Sequence, residues 1–204
     1  MKLLHIDSSI LGAGSVSRAL TAEIVATQRR LHPGLEATYR DLAAEPPLHL
    51  SPAHIAAWQT KATPEEEGVR QDLADGEAMI AELFAADIIV VGAPMYNFTI
   101  PTQLKAWIDR LIIAGRTFRY TANGPESLLP KGKKLIIASS RGGFYGPETP
   151  AHFLEHQESY LKGAFGFIGF TDIQFIRAEG IAVSTEARAQ ALSAAQTEIT
   201  QIAA

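Results

Sequence analysis

Hydroxyl groups crowd the start of this chain. Ser8, Ser9, Ser15 and Ser17, with Arg18, lie on either side of Ile10-Leu11-Gly12-Ala13-Gly14. A helix that opens after such a loop leaves its first amides unpaired and carries the positive end of its dipole there. Serine hydroxyls add donors, and glycines let the backbone come close to a ligand. That combination suits one phosphate dianion. The simpler alternative is that Ser15 or Ser17 only caps the helix. Gly12-Ala13-Gly14-Ser15-Val16-Ser17 approaches the dinucleotide fingerprint G-x-G-x-x-G, but Ser17 stands where the last glycine is needed for close helix–strand packing. No Gly-Lys-Ser/Thr follows either, so a terminal phosphate fits better than a pyrophosphate.

Two further segments carry chemistry. Ala93-Pro94-Met95-Tyr96-Asn97-Phe98-Thr99-Ile100-Pro101 sets a methionine and two aromatics in a loop stiffened by proline. A flat ring system would use those side chains, and the loop's amides could meet the edge of a heterocycle with little ordering cost. Folding of the loop onto its own core is the alternative. Ser139-Ser140-Arg141-Gly142-Gly143-Phe144-Tyr145-Gly146 pairs two glycines with a cation, which suits the anionic N1–C2 edge of a reduced flavin, although an ordinary glycine turn has the same composition.

The elements that must position these segments alternate. Short apolar runs predict strands over Leu3–Ile6, Leu35–Arg40, Asp87–Ala93, Leu135–Ser139 and Ile173–Ile176. Helical spacing predicts helices over Arg18–Leu31, Pro52–Thr60, Pro64–Ala85 (Thr63 as cap), Pro101–Ala114, Ala151–Ala164 and Thr185–Ile202, with Gly115–Pro130 irregular. Parallel strands need crossover helices, and crossovers are right-handed. The economical arrangement is a flavodoxin-like α/β fold: a five-stranded parallel sheet, order 2-1-3-4-5, with helices on both faces. In such a sheet ligands bind beyond the carboxyl ends of the strands, where all three segments fall.

Composition narrows the function. The 204 residues are 47% hydrophobic and 20% charged, which predicts a single domain over 1–204 with a real core. A net charge of −4 gives no electrostatic reason to bind nucleic acid or an anionic membrane. The absence of cysteine excludes disulfides, thiolate metal sites and cysteine nucleophiles. The start, Met1-Lys2-Leu3-Leu4-His5-Ile6-Asp7, turns polar too soon for a signal peptide, and no apolar run is long enough for a membrane span, so a cytoplasmic protein is expected. His152 and His156, with Glu155 between them, fall at i, i+4 on an expected helix, but lack the H-E-x-x-H order and a third ligand, so a solvated face and no metal are expected. His5 reads as a hydrogen-bonded core histidine, Glu65-Glu66-Glu67 as an acidic first helical turn, and Trp58 and Trp107 as core or interface anchors.

Pro94-Met95-Tyr96-Asn97-Phe98, Phe118-Arg119-Tyr120-Thr121 with Asn123-Gly124-Pro125, and Ser140-Arg141-Gly142-Gly143 together resemble the FMN-dependent NAD(P)H azoreductases of bacteria, within the flavodoxin-like quinone reductases. Ser8-Ser9, Ser15-x-Ser17, Asp41-Leu42 and Gly166-Phe167-Ile168-Gly169 extend the resemblance along the chain. It implies that Ser9, Ser15, Val16 and Ser17 hold the FMN phosphate. Pro94, Met95, Tyr96, Asn97 and Phe98 would line the isoalloxazine, with the Asn97 backbone near N5, the reacting atom. Ser140, Arg141, Gly142 and Gly143 would border its pyrimidine edge, and Asn97, Phe98 and Tyr120 would face substrate. It further implies a homodimer with FMN at the interface, NADH or NADPH as reductant, and ping-pong two-electron reduction of quinones or azo compounds with no side-chain acid or base demanded. A flavodoxin-type electron carrier is the alternative. The modest charge and the Gly115–Pro130 excursion, long enough to roof a pocket, favour the enzyme. A nicotinamide-only dehydrogenase is the weaker third reading.

Overall fold

A computed structural model describes residues 1–202. Five strands form one parallel sheet: β1 (Lys2–Asp7), β2 (Glu36–Asp41), β3 (Ile88–Pro94), β6 (Lys134–Ser140) and β7 (Asp172–Ala178), in the order β2-β1-β3-β6-β7. Counted as the parallel strands alone, this is the expected 2-1-3-4-5. Between β3 and β6 stands a separate antiparallel pair, β4 (Phe118–Thr121) and β5 (Gly124–Ser127). The helices are α1 (Val16–Leu31), α2 (Pro52–Thr60), α3 (Glu67–Ala85), α4 (Thr102–Leu111), α5 (Glu158–Phe167) and α6 (Thr185–Thr200).

Every residue of β3 is buried, as a central parallel strand covered on both faces requires. Alternate side chains divide between two cores. Leu4, Ile6, Ile89, Val91, Leu135 and Ile137 pack with Trp107, Leu104 and Phe165. Leu3, Ile88, Val90, Ile136 and Ile176 pack with Leu20, Ile24 and Ile199. Register then decides where function can sit. Asp7 pairs with Gly92, Gly92 with Ala138, and Ala138 with Ile176, so the strands end at one level and the segments after β1, β3 and β6 emerge on one rim.

Several boundaries differ from expectation, each for a local reason. α1 starts at Val16 because the Ser15 hydroxyl accepts from the Arg18 amide. α3 starts at Glu67, so Thr63 caps nothing and only Glu67 of the three glutamates lies in its first turn. The Arg70 guanidinium donates to the carbonyls of Pro64 and Glu65 and holds them outside the helix. α4 stops at Leu111, whose carbonyl accepts from the Thr117 hydroxyl. The expected Ala151–Ala164 helix is instead a 3-10 turn at His152–Leu154 followed by α5. The Glu155 carboxylate accepts from the amides of Gln157, Glu158 and Ser159, which sets the helix start beyond it. His152 and His156 therefore share no helical face. Within α6 only Ala195 and Ile199 are buried, a thinner apolar face than expected. His5 lies tilted against Tyr39, ring centroids 4.8 Å apart, and its Nε2, 3.5 Å from the Asp7 carboxylate, has no hydrogen bond among the described residues, contrary to expectation. Trp107 is core, whereas Trp58 is half-buried under Arg110.

Gly92 is required by close approach. A Cβ there would lie 2.8 Å from the Asp7 carboxylate and 3.2 Å from the Thr21 methyl. Gly92→Ala should destabilise the protein by about 1–3 kcal/mol through overpacking, read as a lower thermal midpoint, and Thr21→Ser in the same chain should recover part of the loss.

Candidate functional site

The segment after β1 is built from hydroxyls that first satisfy the fold. Ser8 Oγ donates to the Gly92 carbonyl at 2.6 Å and ties the loop to β3. Ser9 Oγ lies 3.1 Å from the Tyr96 hydroxyl, which also accepts from the Ile10 amide at 3.2 Å. Ser15 Oγ and Ser17 Oγ are 3.1 Å apart. Val16 and Ser17, the first two residues of α1, have amides with no partner among the described residues. Two free amides and neighbouring hydroxyls at a helix start form an anion seat. Arg18 does not face that seat. Its Nε and Nη2 both donate to the Ser9 carbonyl, at 3.1 and 2.8 Å, and its Nη1 and Nη2 meet the Asp41 carboxylate at 2.7 and 2.6 Å. The cation braces the loop from beneath, and the hydrogen bond to Asp41 raises its already high pKa further.

The segment after β3 folds into a two-residue turn. Tyr96 and Thr99 exchange backbone hydrogen bonds at 2.9 and 3.2 Å, with Asn97 at φ +46° and Phe98 at φ +73°. Two positive φ values define the primed hairpin type. Asparagine tolerates that region, but phenylalanine there costs about 1–2 kcal/mol. The turn uses the amides of Tyr96 and Thr99 and leaves those of Asn97 and Phe98 without partners among the described residues. The Met95 amide donates to the Ser140 carbonyl at 2.8 Å, and the His156 amide donates to the Phe98 carbonyl at 3.1 Å, so the strained turn is held from both sides. Pro94 ends β3, Met95 and Tyr96 are half-buried, and Phe98 is exposed, edge-on to Tyr145 at 6.2 Å.

After β6, the carbonyls of Arg141, Gly142 and Gly143 accept from the amides of Ile181, Ala182 and Gly180, while the amides of Gly142 and Gly143 are unpaired among the described residues. Ser140 is buried beside them. Arg141 departs from expectation. Its side chain is 3% exposed and pairs with Glu158 at 2.6 Å, Glu179 at 2.8 Å and Glu155 at 3.3 Å. With three carboxylates around it, the guanidinium is turned into the protein, and its charge is spent there rather than offered at the rim. Behind Tyr145, between α5 and β7, lies a cleft of about 460 Å³. Its charges are also paired internally, Glu158 accepting from Arg177 at 2.8 Å.

The rim thus gathers Ser9, Ser15, Val16, Ser17, Pro94, Met95, Tyr96, Asn97, Phe98, Ser140, Gly142 and Gly143, and it does not gather Tyr120. The β4–β5 hairpin sits toward the amino-terminal ends of the strands, where Ser127 Oγ donates to the Ile168 carbonyl just before β7 begins and Phe118 packs on Phe167 at 4.7 Å. Tyr120 is 74% exposed there. Sequence reasoning missed Glu155, Gln157, Glu158 and Glu179, because nothing in their own segments marks them as partners of Arg141.

The flavodoxin-like fold family matches residues 1–203. This chain belongs to that family. Among curated relatives of this flavodoxin-like chain, an FMN-dependent NADH:quinone oxidoreductase of Polaromonas naphthalenivorans is 54% identical, over 97% of this chain and 91% of that protein. FMN-dependent NADH:quinone oxidoreductase 2 of Bradyrhizobium diazoefficiens is 53% identical over the full length of both. The crystal structure of an azoreductase from Bacillus anthracis superposes with a TM-score of 0.88 at 28% identity, covering 98% of this chain and 97% of its own. An FMN-dependent NADH-azoreductase of the same species, solved in complex with FMN, gives 0.86 at 25% identity, covering 100% and 99%.

Two carboxylates of this flavodoxin-like site titrate below their ordinary range. The Arg18 hydrogen bond lowers Asp41. Burial would raise Glu155, but amides of Glu158, Ser159 and Gln157, with Arg141, turn the net shift downward. A lowered folded-state value stabilises above the unfolded value, near pH 4, and that contribution is lost as the pH falls through the folded one. Thermal melts between about pH 7 and pH 3 should therefore show a falling midpoint below about pH 4, with Glu155→Gln flattening part of the fall and leaving the neutral-pH midpoint lower.

Proposed function

We propose that this chain is an FMN-dependent NADH:quinone oxidoreductase that also cleaves aromatic azo compounds reductively. The observation that carries the reading is a set of six amides without partners among the described residues, those of Val16, Ser17, Asn97, Phe98, Gly142 and Gly143, on three segments of one rim. The residues fit FMN part by part. The α1 start, with Ser9, Ser15 and Ser17, offers amides and hydroxyls, with Arg18 spent on Asp41, which suits a single phosphate group. The turn at Asn97-Phe98 presents rigid donors beside an exposed aromatic ring, as the edge and face of a planar heterocycle require. The glycines after β6 allow the backbone against the other edge.

FMN, when bound, supplies the two-electron carrier between reduced nicotinamide and the quinone or azo acceptor. The chain's own work is to hold and orient. The Asn97 amide would hold one edge of the ring, Met95 and Tyr96 would back the loop, and Phe98 edge-on to Tyr145 would keep water from one side. No side chain needs to act as acid or base. The strain stored at Phe98 fixes donor directions before any ligand arrives.

We further propose a homodimer. Tyr120 cannot reach its own rim, and exposed Phe98, Leu48 and Leu50 are apolar surface that a second copy would cover while bringing its own Tyr120 over the first copy's site. A cytoplasmic setting, where NADH is available, goes with this reading. Among the described residues no helix is long and apolar enough to cross a membrane.

The visible spectrum tests the function. The protein with FMN should lose its yellow visible absorbance on anaerobic addition of NADH and regain it on addition of a benzoquinone. A protein that binds FMN but stays oxidised with NADH is an electron carrier instead. Ser17→Glu, which sets a carboxylate in the phosphate seat, should weaken FMN binding by about 100-fold or more in an equilibrium titration while the far-UV circular dichroism stays unchanged.

A further inference from the structure

Gln157 immediately precedes α5 and is fully buried. A long polar side chain is seldom enclosed so completely unless its polar atoms find partners. Here both the nitrogen and the oxygen of the amide do. Nε2 donates to the Ala93 carbonyl at 2.6 Å, and Oε1 accepts from Ser139 Oγ at 3.1 Å and from Arg141 Nε at 2.9 Å. The backbone of the same residue is anchored too, its amide donating to Glu155 Oε1 at 2.9 Å.

The partners give the contact its meaning. Ala93 and Ser139 are register partners across β3 and β6, one pair before Pro94 and Ser140 end both strands and the rim segments begin. Pro94 follows Ala93 and has no amide to donate, so the sheet loses a donor at this point. Ala93 leads into the strained Asn97-Phe98 turn, and Ser139 leads into Gly142-Gly143. One planar amide therefore grips the roots of two walls that must stand at a fixed separation if both are to meet one rigid, flat ligand. Through Arg141 it also reaches the neighbouring strand, since the Arg141 amide donates to the Ala178 carbonyl at the end of β7.

We propose that Gln157 is a positioning residue that sets the spacing of the Met95–Phe98 and Ser140–Gly143 segments for FMN, an inference that rests on the flavoenzyme reading above. The side chain touches no ligand; it acts through Ala93, Ser139 and Arg141. Glutamate in its place keeps the acceptor toward Ser139 and Arg141 but opposes the Ala93 carbonyl with a carboxylate. Methionine keeps the length and loses all three bonds. Asparagine is one methylene too short to span them.

Gln157→Met should raise the FMN dissociation constant by about ten-fold or more, change the visible circular dichroism of bound FMN, and lower kcat at saturating FMN more than it changes KM for NADH. In the apoprotein, the Met95 amide should exchange with solvent about ten-fold faster, while amides of Leu4 and Ile6 keep their wild-type rates. Gln157→Glu should fall between wild type and Gln157→Met on each measure, and it carries the same test if the methionine variant does not fold. A folded variant whose dissociation constant, dichroism and Met95 exchange all stay within about two-fold of wild type overturns the proposal, even if its melting point drops. Wild-type protein that binds no FMN overturns the flavoenzyme reading instead, and Met95 exchange in the apoprotein still decides whether Gln157 sets the loop.

Discussion

Backbone amides left without partners at the carboxyl ends of parallel strands are the constraint on which this structure turns. An amide buried at a strand end must find an acceptor or remain solvated. Here the register from Asp7 through Gly92 and Ala138 to Ile176 brings the strands to one level. The unpaired amides at the start of α1, in the turn after β3 and after β6 are therefore neighbours in space, though far apart in the chain. The rest of the architecture keeps them unpaired and correctly aimed. Ser8, Arg18, His156 and Gln157 spend hydrogen bonds on the carbonyls around these amides, Tyr96 pairs with the Ser9 hydroxyl and the Ile10 amide, and the six donors are left free.

Charge follows the same plan. Two arginines near the rim, Arg18 and Arg141, are each neutralised by carboxylates and used as braces. The anion seat consequently relies on amide dipoles and hydroxyls. Such donors are fixed in place and need no side-chain ordering when a ligand arrives, whereas a free lysine or arginine loses rotamer freedom. The strain at Phe98 belongs to this economy: one unfavourable backbone conformation is held by Met95, Ser140 and His156 so that two amides face outward.

Much of this was legible in the sequence. The all-apolar run Ile88–Val91 identified the central strand, and composition alone marked the three rim segments. What escaped were long-range pairings. Gly115–Pro130 hides a hairpin because Phe118–Thr121 and Gly124–Ser127 are short and mostly exposed on both faces, so neither shows a buried stripe. The Ala151–Ala164 segment has helical spacing throughout, but Glu155, by capping α5 from one turn outside it, decides where the helix begins. Arg141 looked like a ligand cation because its three carboxylate partners come from positions 155, 158 and 179, which no local pattern connects to it.

Six amides on three segments that receive one ligand must respond to it as one. A titration of the isotope-labelled apoprotein with FMN, followed by amide resonances, reads that response. Val16, Ser17, Asn97, Phe98, Gly142 and Gly143 should shift together, with one saturation curve. Shifts confined to the charged cleft between α5 and β7, or rim amides that respond with separate affinities, would contradict it.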